Sequence, residues 1–342
     1  MRRMKTHIVR TPRGIIPVER DLMNRRRFLE YGSRVVTLGP ILSLAEQVGS
    51  PVYAQAIPAA VMNRIAISTD CFRLQFKTTF ARGQSGPPAN LPPLNLLTAP
   101  RYIADQVGIH NVEIWAPHFE DLSIDYCRQI KSTAAAAGSR IVNVQLDVLN
   151  PPDYDLQAAN DTERVRWIAF VKDWMDRTAA VGAPHIRVNP GGRPGDPVPE
   201  RVIDSYRQLA AYGKTINVKV LVENHTGLSR PIPTCIEIVK RVDDPFCRGL
   251  SDWGNTPAAS PTARVEALTQ MFPLIEFVSA KEVDFDEQNR HISYDIVPII
   301  KATEASGYRG IYSIELWGDR HPVNVVAAVK DMMQTVAQNI RG

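Results

Sequence analysis

Four short apolar runs in the second half of the chain each reach a polar residue able to do chemistry, and their spacing constrains the fold more than any other feature. LVE ends at Glu223, GLSD at Asp252 and YSIE at Glu315, while EFVSAKE carries Ser279 to Glu282. Asp252 follows Glu223 by 29 residues, Lys281 follows Asp252 by 29, and Glu315 follows Lys281 by 34. Each interval fits one strand, one crossover helix and two loops. Polar groups at the C-terminal ends of successive parallel strands converge on one mouth in a (β/α)8 barrel.

The same alternation extends upstream. Short β-branched runs at 64–68, 111–115, 140–146, 185–189 and 218–223 read as strands, followed by 248–252, 276–280 and 311–315. Helical patterns lie between them at about 98–107, 123–137, 161–181, 198–214, 232–242, 262–272 and 294–306, with a last helix at about 323–339. Eight such units imply a single α/β domain, a (β/α)8 TIM barrel over residues 57–342, near the ~250 residues usual for that architecture. Ser123 and Asp161 read as acceptors before a first helical turn, and Gly138, Gly182, Gly213 and Gly307 as left-handed residues just past helix ends. Two Gly- and Pro-rich loops follow the first and fourth strands, at 73–97 and 190–199. Both read as surface connections, and the first also as a lid over the barrel mouth.

The first 56 residues belong to a different kind of segment. Asn24-Arg25-Arg26-Arg27-Phe28-Leu29 is a twin-arginine pattern, residues 35–45 are moderately apolar, and Ala54-Gln55-Ala56 is a small-x-small cleavage site. Residues 1–56 are therefore expected to be a twin-arginine signal peptide, with the twin-arginine export machinery as partner and a periplasmic or secreted destination. Residues 1–22 are unpatterned and stop just before Met23, which makes Met23 the expected start of translation. The chain holds 40 Lys+Arg against 36 Asp+Glu, but 10 of the basic and 4 of the acidic residues sit in the leader, leaving 30 against 32. The basic excess thus belongs to the leader, and no electrostatic case for nucleic acid remains. No later run approaches the ~18 apolar residues of a membrane span, so no stable membrane anchor is expected. Cys71, Cys127, Cys235 and Cys247 show neither a CxxC pair nor zinc-ligand spacing and read as buried free thiols. A homo-oligomer is left open.

Four segments together carry a resemblance: Val222-Glu223-Asn224-His225, Asp252-Trp253-Gly254-Asn255, Ser279-Ala280-Lys281 and Ile314-Glu315-Leu316-Trp317-Gly318-Asp319. The chain resembles the sugar phosphate isomerase/epimerase family, the xylose-isomerase-like TIM barrels, well over 218–320 and weakly over the rest of the barrel. It is most like an exported branch whose seventh strand reads S-A-K and whose eighth reads I-E-x-x-G-D. The resemblance implies a divalent metal held by Glu223, Asp252 and Glu315, with Ser279 standing where better-known epimerases have His. An oxygen-rich set of this kind suits Mn²⁺ or Mg²⁺ better than Zn²⁺. His225 and His118 are candidates to complete the shell and otherwise read as hydrogen-bonded scaffold histidines. Lys281 reads either as a clamp on a sugar oxygen or as a salt-bridge partner of Glu282 or Asp252. Glu113, His118, Asn189, His225, Lys281 and Trp317 are the expected substrate contacts, with Trp115 and Trp253 as further flat surfaces for a sugar ring.

The chemistry so implied is metal-assisted proton abstraction α to a sugar carbonyl, with Glu223 and Glu315 facing the two sides of the reacting carbon. That makes the chain a carbohydrate isomerase or epimerase. Two alternatives use the same site: a 3-keto-glycoside lyase acting by β-elimination, and a non-catalytic carbohydrate-binding barrel, which Ser279 supports. A DNA-repair nuclease of the related barrel type would need a His-rich zinc cluster and a basic face, and the sequence shows neither.

Overall fold

The computed structural model describes residues 57–79, 90–147, 154–318 and 320–342. Residues 1–56, where the signal peptide is expected, residues 80–89 of the first long loop (with Gly83, Gly86, Pro87 and Pro88), residues 148–153 and Asp319 lie outside the described residues.

Eight strands form a closed parallel barrel: β1 (Ile65–Ser68), β2 (Asn111–Trp115), β3 (Arg140–Gln145), β4 (His185–Arg187), β5 (Lys219–Glu223), β6 (Cys247–Asp252), β7 (Ile275–Val283) and β8 (Ile311–Trp317). Each strand pairs with the next, and β8 closes on β1. A single turn, α1 (Ala59–Met62), precedes β1. Helices α2 (Ala99–Val107), α3 (Ile124–Ala136), α4 (Asp161–Val181) and α5 (Glu200–Ile216) follow β1 to β4 in order. Helices α6 (Ile232–Val242), α7 (Pro261–Thr269), α8 (Val297–Ala305) and α9 (Val325–Asn339) follow β5 to β8. The strands are buried on both faces, which is why they read as near-continuous apolar runs. Each helix offers a stripe to them; on α6 it is Ile232, Cys235, Ile238, Val239 and Val242, at helical spacing. Among the described residues no helix is long and apolar enough to cross a membrane.

The inside of the barrel is layered. Ala66, Val142, Leu221, Leu250 and Phe277, with Ile311 against them, form an apolar plug. Because strand side chains alternate with period two, the next inward positions are two residues further along each strand. There the filling turns polar: Ser68, Glu113, Glu223, Asp252, Ser279 and Ser313 are all buried. One step higher on β7 and β8, Lys281 and Glu315 stand opposite each other in the strand register. The fully buried charge thus gathers in the C-terminal half of the barrel, while Lys219 and Glu276 pair at its N-terminal end.

Several local expectations need correction. Ser123 caps α3 by accepting from Tyr126 N–H, but α4 is capped by Asn160, whose side chain accepts from Glu163 N–H; Asp161 is already helical. Gly138, Gly182 and Gly307 adopt positive φ past helix ends, whereas Gly213 lies inside α5, which ends at Asn217 with φ 56°. Gly213 answers to space rather than to φ, since a Cβ there would sit 2.1 Å from the Val218 carbonyl oxygen. Strand β4 stops at Arg187, so Asn189 lies beyond it, with its N–H donated to Tyr154 Oη. Strand β7 instead runs on to Val283, because its pairing with β8 persists as far as Trp317, and Lys281 is therefore a strand residue. All four cysteines are free and buried.

Candidate active site

A cavity of about 580 Å³ opens at the C-terminal mouth of the barrel. Glu315, Lys281, Asp70, Arg187, His225 and Trp317 are among the side chains in its wall. Gly191, from the loop after β4, forms part of the same wall. Its φ of 79° requires glycine, and a Cβ there would lie 2.3 Å from Asp155 Oδ1.

Two buried cations organise the charge. Lys281 Nζ lies 2.8 Å from Asp252 Oδ2 and 2.8 Å from Glu315 Oε1. Burial works against the ammonium, but Asp252 and Glu315 outweigh it and hold its pKa well above the ordinary lysine value. The other Glu315 oxygen accepts from Ser279 Oγ at 2.9 Å and from Gln145 Nε2 at 3.2 Å. Ser68 Oγ donates to Gln145 Oε1 at 3.0 Å and so fixes which end of that amide faces Glu315. Asp252 is anchored on its far oxygen by Asn255 N–H at 2.7 Å.

Arg187 is the second cation. It makes a bidentate pair with Asp147 at 2.5 and 2.9 Å. Its Nε stands 2.9 Å from Glu223 Oε2, close as charges but without hydrogen-bond alignment, so neither Glu223 oxygen accepts a hydrogen bond from the described residues. Burial pushes the Glu223 pKa well up and Arg187 only partly opposes it. Burial also pushes Asp147 up, yet there Arg187 wins and holds the carboxylate below the usual range. Trp115 Nε1 donates to Asp147 Oδ2 at 2.8 Å.

The expected site residues divide into those that reach the cavity and those that do not. Glu315, Lys281, His225, Asn189, Trp115 and Trp317 line it. Glu223 and Asp252 sit behind that wall, 1% and 0% exposed. Glu113 lies deeper, bound to Asn143 Nδ2 at 2.6 Å and Ser313 Oγ at 2.5 Å, and burial raises its pKa to about 7. His118 is packed away, stacked on Phe76 with Nδ1 2.9 Å from Thr69 Oγ1. Trp253 is wholly buried against Tyr312. Burial and Arg187 push the His225 pKa down to about 3, so its imidazole is neutral and accepts from Asn189 Nδ2 at 3.4 Å.

Sequence reasoning missed Asp70, in the turn after β1. It is 1% exposed, lines the cavity, and neither carboxyl oxygen has a hydrogen-bond partner among the described residues. Burial, reinforced by the charge of Glu315, raises its pKa to about 8, so at neutral pH this carboxyl carries a proton. Arg73 is 3.9 Å away and turns its guanidinium over the Trp317 ring instead.

The groups that the resemblance would give to a divalent metal are already engaged with one another. Asp252 and Glu315 are joined by an ammonium, Glu223 faces a guanidinium, and Ser279 spends its hydroxyl proton on Glu315. Among the described residues no three His, Cys, Asp or Glu side chains group to hold a metal ion. Glu223, Asp252 and Glu315, the ligands the resemblance implies, each have a chain cation at 2.8 to 2.9 Å, an arrangement that does not fit a divalent ion beside them.

The sequence profile of the Xylose isomerase-like TIM barrel family matches residues 102–336. The chain belongs to this family. No protein of curated function matches the chain in sequence. Solved structures similar to this barrel include a 3-keto-D-glucoside 4-epimerase from E. coli, at 15% identity and TM-score 0.58, covering 80% of this chain and 99% of that one. A D-allulose 3-epimerase from Methylomonas sp. matches at 11% identity and TM-score 0.60, over 81% and 98%. A probable 3-DHS dehydratase from Bacillus anthracis matches at 15% identity and TM-score 0.56, over 80% and 98%. At such identities the likeness is one of fold.

Proposed function

We propose that this xylose-isomerase-like barrel moves a proton at the carbon beside the carbonyl of a small keto-sugar, giving epimerisation or isomerisation. One observation carries the reading: two carboxyl groups face the cavity in opposite surroundings. Glu315 receives hydrogen bonds from Ser279 and Gln145 and the charge of Lys281, the setting of a carboxylate. Asp70 receives none and holds its proton to about pH 8. Pairs whose environments push them apart are how enzymes divide acid from base. In this reading Glu315 takes the C–H proton and the electron pair moves onto the carbonyl oxygen. Asp70 supplies the returning proton, the part the sequence assigned to Glu223, which pairs with Arg187 outside the cavity wall. Neutral His225 and Asn189 offer hydrogen bonds to hydroxyls, and Trp317 offers a flat apolar face. Two of the similar structures are sugar epimerases, which supports a carbohydrate substrate.

The test is solvent exchange. Keto-hexoses and 3-keto-glucosides incubated with the protein in D₂O are expected to gain deuterium at the α-carbon, seen by NMR. No uptake into any of them contradicts the proposal.

A second reading is supported by protonated Asp70. With a 3-keto-glycoside, Glu315 removes the C2 proton, the C1–O bond breaks, and the departing oxygen takes the Asp70 proton. The export leader read from residues 24–56 favours such a substrate, since sugar phosphates are scarce outside the cytoplasm. Epimerisation conserves mass and elimination releases an alcohol, so product analysis separates the two.

A further inference from the structure

We infer that the Lys281 ammonium occupies the place of a catalytic cation, so that the site stabilises developing negative charge without a divalent metal. The chemical half of this inference rests on the proton-transfer reading above; the geometric half does not.

The lysine is built in. Its backbone is fixed opposite Glu315 in the β7–β8 register. Its stem runs past Gly254, where a Cβ would lie 2.7 Å from Lys281 Cδ, so any larger residue there would displace it. Its head is 3% exposed as a residue, yet it reaches the cavity wall. An ammonium has three donors in fixed number. Its ion pairs with Asp252 and Glu315 are 2.8 Å each, while the hydrogen bond it donates among the described residues goes to Asn255 Oδ1 at a long 3.3 Å. That long bond is the one a substrate oxygen can replace.

The surroundings already hold two cations. Asp252 and Glu315 share the Lys281 ammonium, and Glu223 faces Arg187, which also pairs with Asp147. Ser279 turns a donor toward Glu315, where an imidazole would have offered a lone pair to a metal. When Glu315 takes the α-proton, the C–H electron pair becomes enediolate charge on the substrate oxygen. A preorganised ammonium beside that oxygen stabilises the charge with no reorganisation. The proton stays on Glu315 while Asp70 supplies the one that returns, and Lys281 keeps its own three.

The experiment is a Mn²⁺ titration of the full chain and of Lys281→Ala, read by calorimetry and thermal unfolding rather than by turnover. The wild-type protein is expected to show no binding heat and no Tm change. Lys281→Ala is expected to fall in Tm and to regain about 5–10 °C with Mn²⁺ in 100-fold excess over its Kd, as its freed carboxylates take up the ion. One equivalent of Mn²⁺ bound by wild type overturns the inference, as does a folded Lys281→Ala indifferent to Mn²⁺. Should that variant not fold, the wild-type titration decides by itself. Deuterium exchange into a keto-sugar separates the two claims. Exchange that stops in chelator and returns with Mn²⁺ overturns the lysine's role and keeps the sugar chemistry. Absence of exchange from a protein that binds no Mn²⁺ overturns the sugar chemistry alone.

Discussion

Lys281 and Arg187 each stand between two carboxylates at the barrel mouth, but they are held differently. Arg187 makes a planar, two-bond grip on Asp147 and leaves Glu223 behind it, outside the cavity wall. Lys281 is a point charge between Asp252 and Glu315, with Glu315 in the wall and one donor only weakly used. A guanidinium fork orients its partners and keeps its protons, whereas an ammonium can turn its donors toward a new oxygen. The arginine cluster thus shapes the wall, and the lysine cluster is the one to which the proposed reaction assigns the chemistry. Neither is there simply for stability, since a buried ion pair often gains little over apolar packing while losing one partner is costly.

This division can be broken from either side. Glu315→Gln removes the base but keeps its shape. It is expected to fold as wild type by circular dichroism and to lose about 10³-fold or more in deuterium exchange rate; near-normal exchange would end the assignment. Arg187→Ala leaves Asp147 and Glu223 facing each other without a cation. Urea unfolding is expected to show a loss of about 3–5 kcal/mol. A loss below about 1 kcal/mol would remove the structural role given to the arginine.

Asp70→Asn sharpens the comparison through pH. The folded pKa of Asp70 is raised to about 8, so its contribution is fully present below the unfolded value near 3.9 and is lost as pH rises through about 8. Glu113 and Glu282, raised to about 7 and about 8, act in the same direction, so the difference between variant and wild type isolates Asp70. The wild-type Tm is expected to drop between about pH 5 and about pH 9, and the variant to drop less. Equal slopes would contradict the buried, protonated carboxyl. The smallest effect is assigned to Trp317→Ala. Trp317 is 42% exposed at the cavity rim, and its loss is expected to raise KM about 10-fold with kcat little changed. A fall in kcat alone would place it nearer the reaction than the rim.

The barrel was legible because each βα unit repeats one signal, an apolar run followed by a helical stripe, and β2, α4 and α6 fall where that pattern puts them. The strand-end rule also brought Glu315 and Lys281 together. In the first half it pointed to Glu113 and Asn189 but passed over Asp70 and Asp147, although Ser68-Thr69-Asp70 and Gln145-Leu146-Asp147 carry the same signature after β1 and β3. Depth within the barrel was not legible. Period two says which way Glu113 and Glu223 point, but not that one lies beside Ser313 and the other behind Arg187. The partner of a buried charge is equally hidden, because Lys281 and Asp252 meet across strands 29 residues apart in the chain. A resemblance that supplied a metal for three carboxylates therefore had no means of weighing two chain cations.

The most direct test follows deuterium from D₂O into the α-carbon of a keto-sugar, for wild type and Glu315→Gln side by side, with chelator present throughout. Exchange by the wild-type protein in chelator and none by the variant is the predicted result. Equal exchange by both, or wild-type exchange only after Mn²⁺ is added, would contradict a lysine-assisted proton transfer at Glu315.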